Sequence, residues 1–479
     1  SGKQSTSISL RLLISDTMSA ERAKTVEEQD WYHGYRPKKD AKSLLKQPGD
    51  FLVRATDTLS ATDIVISVLD ESHKFVNITL KMEDNLWYIG SVKKDISKSK
   101  RFKTIVELVT HYMAHPPSKK LKLARVIPRP LWMLKHNQIK YDKELGQGNF
   151  CKVHKGTLTN GNKEIVVAVK ISLSQSNASQ ADSEEAKEAR KAMMHEAQIM
   201  SYYTHENIIL FHGVACDVKP VLVIMEFCPG GDLQSHLEKR GKDISTEEKV
   251  LYSLEAVTGM NYLHSKNCIH RDLAARNCLI SATGSVKIAD FGLSKMRDEV
   301  ETSEKKDGNL QLPVRWMAPE SLKKPYNDYT TRSDVWSFGV MLYEIFNDGI
   351  KPWATEPDSK VILKSVRMGK MPSMPAKTPS QIADLVVNKI WVVEAGKRMT
   401  MKDLFCKLTG IYKANPVNDV KTLVLNKIPG VQRTTLLQPD ETESEDSGCT
   451  DEEKKDKRPR TRGSRAQKKG RSSSSRDLR

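Results

Sequence analysis

Several absences bound the reading of this 479-residue chain. It has no run of about eighteen apolar residues, so no stretch matches a membrane-spanning helix. Its seven cysteines (Cys151, Cys216, Cys228, Cys268, Cys278, Cys406, Cys449) stand singly, with no C-x-x-C pair. That scatter argues against zinc sites and a disulfide framework and suits a reducing compartment. The opening stretch SGKQSTSISLRLLISDTMSAERAK lacks a long apolar core and a cleavage site. It reads as a structureless leader rather than a signal peptide, and it does not fit a myristoylation signal. No internal repeat occurs. Finally, none of the thirteen tyrosines falls within 290–320, DFGLSKMRDEVETSEKKDGNLQLPVRWMAPE, whose middle is crowded with charge.

What remains is ordinary globular material, 38% hydrophobic, long enough for two or three domains. The net charge of +17 is concentrated: between 454 and 479 twelve Lys and Arg face two Asp, after the acidic DETESEDSGCTDEEKKD. Such a blocky polyampholyte buries no core. It is a solvated tail, a patch for anionic lipid, or a nuclear or nucleic-acid address. The nucleic-acid reading rests on this tail alone and is the weakest.

Composition divides the chain into a leader (1–30), a first unit (31–117), a basic, proline-punctuated linker (118–138), a larger unit (139–412) and a disordered acidic-then-basic tail (413–479). The first unit mixes β-rich runs (DFLVRAT, DIVISVLD, HKFVNITL, LWYIG) with helical patterns near 38–46 and 103–114. In FLVRA, Arg54 shares a strand face with Leu52, whereas Phe51 and Val53 point the other way. A charge there is costly unless paired. Either an internal ion pair holds it, or it is kept for a ligand anion that its planar fork meets with two donors.

W-Y-H-G, a helix and F-L-V-R in that order resemble the SH2 domain over the whole 31–116 region. The resemblance implies a central antiparallel sheet flanked by two helices. It also implies that Arg54, assisted by Lys38, Thr56 and Thr58, binds the phosphate of phosphotyrosine in partner proteins. Asn77 stands where the family usually has a histidine, which leaves a hydrogen-bonding group in the pocket.

In the larger unit, LGQGNFCKV precedes EIVVAVK, the order of a phosphate-covering flap followed by a lysine-bearing strand. Glycine in the first two flap positions allows close backbone approach, but Cys151 replaces the third glycine. A strongly helical stretch, EEAKEARKAMMHEAQIM, carries Glu196. IHRDLAARNCLI then places Asn277 five residues after Asp272, and DFG supplies Asp290. Phosphoryl transfer needs these types together: a carboxylate for the substrate hydroxyl, and oxygen donors that hold metal against the transferring phosphate.

Over 139–412 these motifs resemble a bilobal protein kinase, so the expected fold is multidomain α+β, SH2 followed by kinase, with disordered termini. By that resemblance Asp272, Lys170, Glu196 and Arg276 are catalytic. ATP lies against Leu145, Gly146, Gln147, Gly148, Asn149, Phe150, Cys151, Lys152, Val153, Ala168, Lys170, Met225 (the gatekeeper), Glu226 and Cys228. Asn277 and Asp290 hold Mg2+, with Mn2+ as an alternative, and Glu320 pairs with Arg398.

HRDLAARN and PVRWMAPE resemble the tyrosine-specific branch. The SH2 followed by W-x-L-x-H-x-x-I and LGQGNFCKVHKGTL is similar to the Fes/Fer group of non-receptor tyrosine kinases. That group carries an F-BAR domain for which this chain has no room, so a shortened, nematode-like form is expected. The expected function is ATP-dependent tyrosine phosphorylation targeted through phosphotyrosine, in the cytoplasm, with peripheral plasma-membrane contact through the tail. The alternative is an SH2-pseudokinase adapter, for which Cys151 is the chief argument. In the tyrosine-free segment the regulatory tyrosine's place falls at about Thr302–Ser303, among Glu299, Glu301 and Glu304. Those carboxylates are expected to substitute partly for a phosphate that would otherwise pair with Arg271; the competing readings are phosphorylation of Thr302 or Ser303 by another kinase and a loop left unordered.

Overall fold

The computed structural model describes residues 25–57, 62–90, 100–147, 151–172, 183–296, 313–323 and 328–436. The first unit runs β1 (Tyr32–Tyr35), α1 (Lys38–Leu44), β2 (Asp50–Asp57), β3 (Thr62–Leu69), β4 (Phe75–Glu83), β5 (Leu86–Ile89) and α2 (Ile105–Ala114). Strands β2 to β5 form an antiparallel meander, and β1 joins β2 in parallel. The alternation in β2 decides which helix covers which face. Phe51 and Val53 enter the core built with Ile105, Leu108, Val109 and Tyr112 of α2, while Leu52 packs with Ala41 of α1 and with Leu45 just after it. Each such large apolar side chain contributes roughly 1.5–3 kcal/mol by leaving water. Arg54, two residues beyond Leu52, therefore lies on the α1 face. The side chain of Thr104 accepts the Glu107 amide at 3.1 Å and so starts α2.

The linker is more structured than its composition suggested. Arg125–Val126 (β6) pairs with β2, and Met133–Leu134 (β7) pairs in parallel with β11 (Phe211–Ala215) of the next unit. That unit's sheet has the order β7-β11-β12-β10-β9-β8, from β8 (Ile139–Gln147), β9 (Cys151–Asn160), β10 (Lys163–Ser172), β11 and β12 (Leu222–Glu226). Helix α3 (Glu184–Met200) begins at Ser183, whose side chain accepts the Ala186 amide, with Glu184 and Glu185 favouring its positive N-terminus.

The first unit sits on this small lobe. Tyr35 donates its amide to the Cys216 carbonyl at 2.7 Å, and the Tyr32 hydroxyl donates to the Asp217 carbonyl at 3.3 Å. A Cβ on Gly34 would lie 2.1 Å from the Cys216 oxygen, and its φ is +60°. The glycine of W-Y-H-G is thus required by backbone-to-backbone approach.

The large lobe is built on α5 (Thr246–Ser265) and α6 (Thr331–Phe346), both buried nearly all round, with α4 (Leu233–Arg240), α7 (Ser359–Arg367), α8 (Ser380–Leu385) and α9 (Met401–Ala414) around them. Between α5 and α6 run β13 (Cys268–Ile269), β14 (Cys278–Ile280), β15 (Val286–Ile288) and β16 (Lys295–Met296). One expectation needs correction. The chain does not turn structureless at 413: Val417, Leu423, Val424, Leu425 and Val431 are buried against the large lobe, and described structure continues to 436. Polar composition hid five well-spaced apolar anchors.

Candidate active site and phosphate pocket

Strand β10 places Lys170 opposite Val153 and Val223 in its two neighbours. Its Nζ donates to both Glu196 oxygens, at 2.8 and 3.0 Å, and to Asp290 Oδ1 at 3.2 Å. Burial alone would depress the Lys170 ammonium, but Glu196 and Asp290 outweigh it and hold its pKa above the ordinary lysine value. Lys170 pulls the Asp290 carboxyl below its usual range. Asp290 has φ +60°, and Phe291 beside it is buried, its ring 6.0 Å from Tyr203 and 5.4 Å from His270. The small-lobe cation, the helix carboxylate and the DFG carboxylate therefore meet at one point.

Across the cleft, Asn277 Nδ2 donates to the Asp272 carbonyl at 2.6 Å and to Asp272 Oδ2 at 2.9 Å. Arg276 reaches Asp272 Oδ1 at 2.5 Å and stacks over Trp316. Burial raises the Asp272 carboxyl and Arg276 opposes the rise; the net upward shift makes it a better proton acceptor. Asn277 and Asp290 hang from the open end of the β14–β15 hairpin, tied by the Ala289 amide donating to the Asn277 carbonyl at 2.8 Å. Their hard oxygen donors suit a small divalent cation shared with phosphate oxygens. Among the described residues no cluster of three His, Cys, Asp or Glu forms a closed metal cage.

Ala168 and Met225 are direct partners in the β10–β12 ladder, which puts Met225, the expected gatekeeper, beside Ala168 on the strand that carries Lys170. Glu226 is held by Lys287 at 3.2 Å, and Cys228 is half-buried with its thiol pushed up by burial to about 12. Leu145, Gly146 and Gln147 end β8, and Gly146 has open space where a Cβ would stand. Gly148, Asn149 and Phe150 lie outside the described residues. Lys152 pairs with Glu144 at 3.0 Å, and Cys151 begins β9 opposite Ser172. Burial raises the Cys151 thiol, and it folds into the same hairpin ladder as its neighbours. Glu320 and Arg398 form the expected pair, with two contacts of 2.7 Å.

In the first unit Arg54 is 1% exposed. It donates to Ser67 Oγ at 3.0 Å, the Arg36 carbonyl at 2.9 Å and Asn77 Oδ1 at 3.4 Å. Burial, and then Arg36, lower its pKa to about 10, so it stays charged at neutral pH. Among the described residues no carboxylate forms an ion pair with it, although the Asp40 carboxylate is near enough to oppose the lowering of its pKa. Asn77 is brought in by its register with Ser67. Thr56 shares the Arg54 face of β2, and Lys38 is exposed at the start of α1, two residues from the carbonyl that Arg54 grips. Thr58 lies outside the described residues.

Sequence reading missed several working groups. Asp334, fully buried, accepts the His270 and Arg271 amides at 2.9 Å each and His264 Nε2 at 3.0 Å, holding the catalytic loop from below. Its signal was available: the carboxylate of SDVWSFG stands just before the apolar run VWSFGVML of a buried helix. Arg190 of α3 forks onto Asp57 of β2 at 2.9 and 2.8 Å, a pairing across 133 residues that has no local signal. Arg271 stacks on Tyr329 at 4.1 Å. Glu299, Glu301, Thr302, Ser303 and Glu304 lie outside the described residues.

Residues 139–408 match the family described as protein tyrosine and serine/threonine kinase, and residues 31–112 match the SH2 domain. The chain is 33% identical to Fer-related kinase 1 of Caenorhabditis elegans over 401 residues, 81% of this chain and 95% of that protein. It is 35% identical to tyrosine-protein kinase Fer of Rattus norvegicus over 405 residues, 84% of this chain and 46% of that protein. The chain thus spans about half the length of Fer. A third relative, spermatocyte protein spe-8 of C. elegans, is 34% identical over 332 residues, covering 69% and 61%.

Proposed function

The chain belongs to the SH2-bearing protein tyrosine kinases of the Fes/Fer group, and on that premise we propose how its two sites work together. The observation that carries the reading is the meeting of Lys170, Glu196 and Asp290, facing Asp272 and Asn277 across one cleft. ATP enters between Ala168 and the Glu226–Cys228 segment, with Lys170 set to neutralise its phosphates. Asn277 and Asp290 would hold a divalent cation, Mg2+ in our reading, which would supply charge neutralisation to the nucleotide phosphates. Asp272 aligns the tyrosine hydroxyl and takes its proton as the oxygen bonds to the γ-phosphorus and ADP leaves. Arg276 and Asn277 keep the Asp272 carboxylate from rotating away.

Arg54 is the phosphotyrosine anchor. Its unit touches α3 through Asp57 and Arg190, six residues before Glu196. Docking on phosphotyrosine therefore brings to the substrate a lobe whose catalytic helix is already braced. The basic tail, in this reading, gives weak contact with anionic membrane from a cytoplasmic location, and nucleic acid is not a partner. The adapter alternative has no observation in its favour, since every phosphoryl-transfer group described is in place.

The test is Mg-ATP phosphorylation of a tyrosine peptide by the parent and by Asp272→Asn. The parent should label the peptide and the variant should fall by at least 1000-fold. Equal, background-level labelling by both sinks the enzyme reading. Removing 440–479 should abolish vesicle binding with catalysis unchanged.

A further inference from the structure

The kinase match stops at 408, yet the chain continues in a defined course to 436. Two short 3-10 turns, Val420–Thr422 and Val424–Lys427, follow α9. Glu248 at the start of α5, 1% exposed, accepts the Val424 and Leu425 amides at 2.9 and 3.0 Å. Asn426 then closes the next loop: its oxygen accepts the Arg433 amide at 2.7 Å, and its Nδ2 donates to the Arg433 carbonyl at 3.1 Å. The strap so formed grips the closed end of the β14–β15 hairpin. Gln432 donates its amide to the Ala282 carbonyl at 2.8 Å. Arg433 Nη1 donates to the Gly284 carbonyl at 3.1 Å and to Glu255 Oε1 at 2.6 Å. Glu255 in turn accepts the Val286 amide at 2.9 Å through its other oxygen.

The turn is shaped for this contact. Gly284 has φ +74°, and a Cβ there would meet Leu425 Cδ1 at 2.6 Å and Arg433 Cβ at 2.9 Å. The other end of the same hairpin carries Asn277 and Asp290. Its strands are only three residues each, so fixing the turn fixes both oxygen donors. Arg433 and Glu255 are nearly fully buried, and a buried pair broken on one side leaves an uncompensated charge.

We propose that 416–433 is a working part of the catalytic lobe, and that Arg433 is a positioning residue: acting through Glu255 and Gly284, it sets the hairpin that presents Asn277 and Asp290 to the nucleotide-bound metal. This rests on the phosphoryl-transfer reading above. Partners of that kind, one shell behind metal-holding groups, typically change metal affinity or activity by about 10–100-fold.

The experiment compares the full chain with Arg433→Ala, Arg433→Lys and the neutral double variant Arg433→Met/Glu255→Gln. Amide exchange of Val286–Ala289 is measured, and so are ADP affinity by calorimetry at graded Mg2+ and the Mg2+ dependence of peptide phosphorylation. Arg433→Ala should speed exchange across the hairpin and raise the Mg2+ needed for half-maximal ADP binding by roughly 10-fold, with peptide KM unchanged. Arg433→Lys, which keeps a charged donor, should recover most of the loss. The double variant decides the case if Arg433→Ala does not fold: with no buried charge left unpaired it should bind phosphotyrosine peptide normally, yet keep the raised Mg2+ requirement, because Gly284 has lost its donor. Parent-like Mg2+ dependence and exchange in the double variant, or a loss confined to the amount of folded protein, overturns the proposal. Amide exchange reads the strap's grip whether or not phosphate is transferred, so failure here is distinct from failure of the kinase reading.

Discussion

Arg54 donates to neutral acceptors, a hydroxyl, an amide oxygen and a backbone carbonyl, and burial and the nearby Arg36 lower its pKa by more than the Asp40 carboxylate raises it. A buried guanidinium so placed is under-compensated until an anion arrives, which is the physical basis for reading the pocket as a phosphate site. Arg54→Lys keeps the charge and loses the fork. We expect phosphotyrosine-peptide affinity, measured by calorimetry, to fall by about 100-fold in Arg54→Lys and at least as far in Arg54→Ala. Glu344, on buried α6, accepts the Ala275 amide and Trp316 Nε1, and burial raises its pKa to about 7. An acid whose folded pKa exceeds its unfolded value binds its proton more tightly when folded. Its contribution is present below about pH 4.5 and is lost as pH rises to about 7, on the order of 3 kcal/mol in all. Glu344→Gln keeps both acceptor bonds and cannot ionise. Denaturant unfolding at pH 5 and pH 7.5 should therefore show a smaller loss of stability with pH in the variant than in the parent. Equal losses would contradict this.

Among the secondary-structure elements, α3 carries the coupling between the two units. Arg190 is 2% exposed and stacks 5.4 Å from Tyr35 while its fork holds Asp57. Arg190→Ala should lower kcat several-fold with the Lys170–Glu196 chemistry otherwise intact. A double-mutant cycle with Asp57→Ala should show that the two losses are not additive, the sign of a direct interaction. The tyrosine-free activation segment belongs to the same scale: replacing Glu299, Glu301 and Glu304 by glutamine should reduce basal velocity, and an unchanged rate rules out carboxylate substitution for phosphate. What could be read from sequence follows from how locally each feature is encoded. H-R-D-x-x-x-x-N, D-F-G, F-L-V-R and the β2 alternation each sit within a dozen residues, where spacing alone fixes relative direction. The Asp57–Arg190 fork, the Glu255–Arg433 pair and the strand made by Met133–Leu134 join distant segments, and their chemistry looks like ordinary surface charge or linker until the fold brings the partners together. The strap failed to register for a related reason: its apolar anchors have neither the 3.6- nor the 2-residue period, because it is built of short 3-10 turns and irregular chain and not of one helix or strand.

For the whole molecule, the consequence is that the pocket proposed to bind phosphate and the cleft proposed to transfer it are carried on one packed body, joined by the Cys216 and Asp217 backbone contacts and the Arg190 fork. A substrate held at Arg54 by an existing phosphotyrosine then presents a second tyrosine intramolecularly. The effective concentration of that tyrosine is about millimolar for a short flexible spacer, and near zero if the spacer cannot span the two sites. Peptides with one phosphotyrosine and one acceptor tyrosine, separated by Gly/Ser spacers of graded length, should be phosphorylated at low micromolar concentration about 10–100-fold faster than the same peptides with the phosphotyrosine replaced by phenylalanine. The advantage should appear only above a threshold spacer length, fall off slowly beyond it, and vanish in Arg54→Ala while the rate on the phenylalanine peptides stays at the parent value. A rate advantage that is independent of spacer length would mean that phosphotyrosine acts by changing the lobe's activity and not by tethering. In that case the Arg190→Ala variant, which cuts the contact to α3, should abolish the advantage where a tether would survive it.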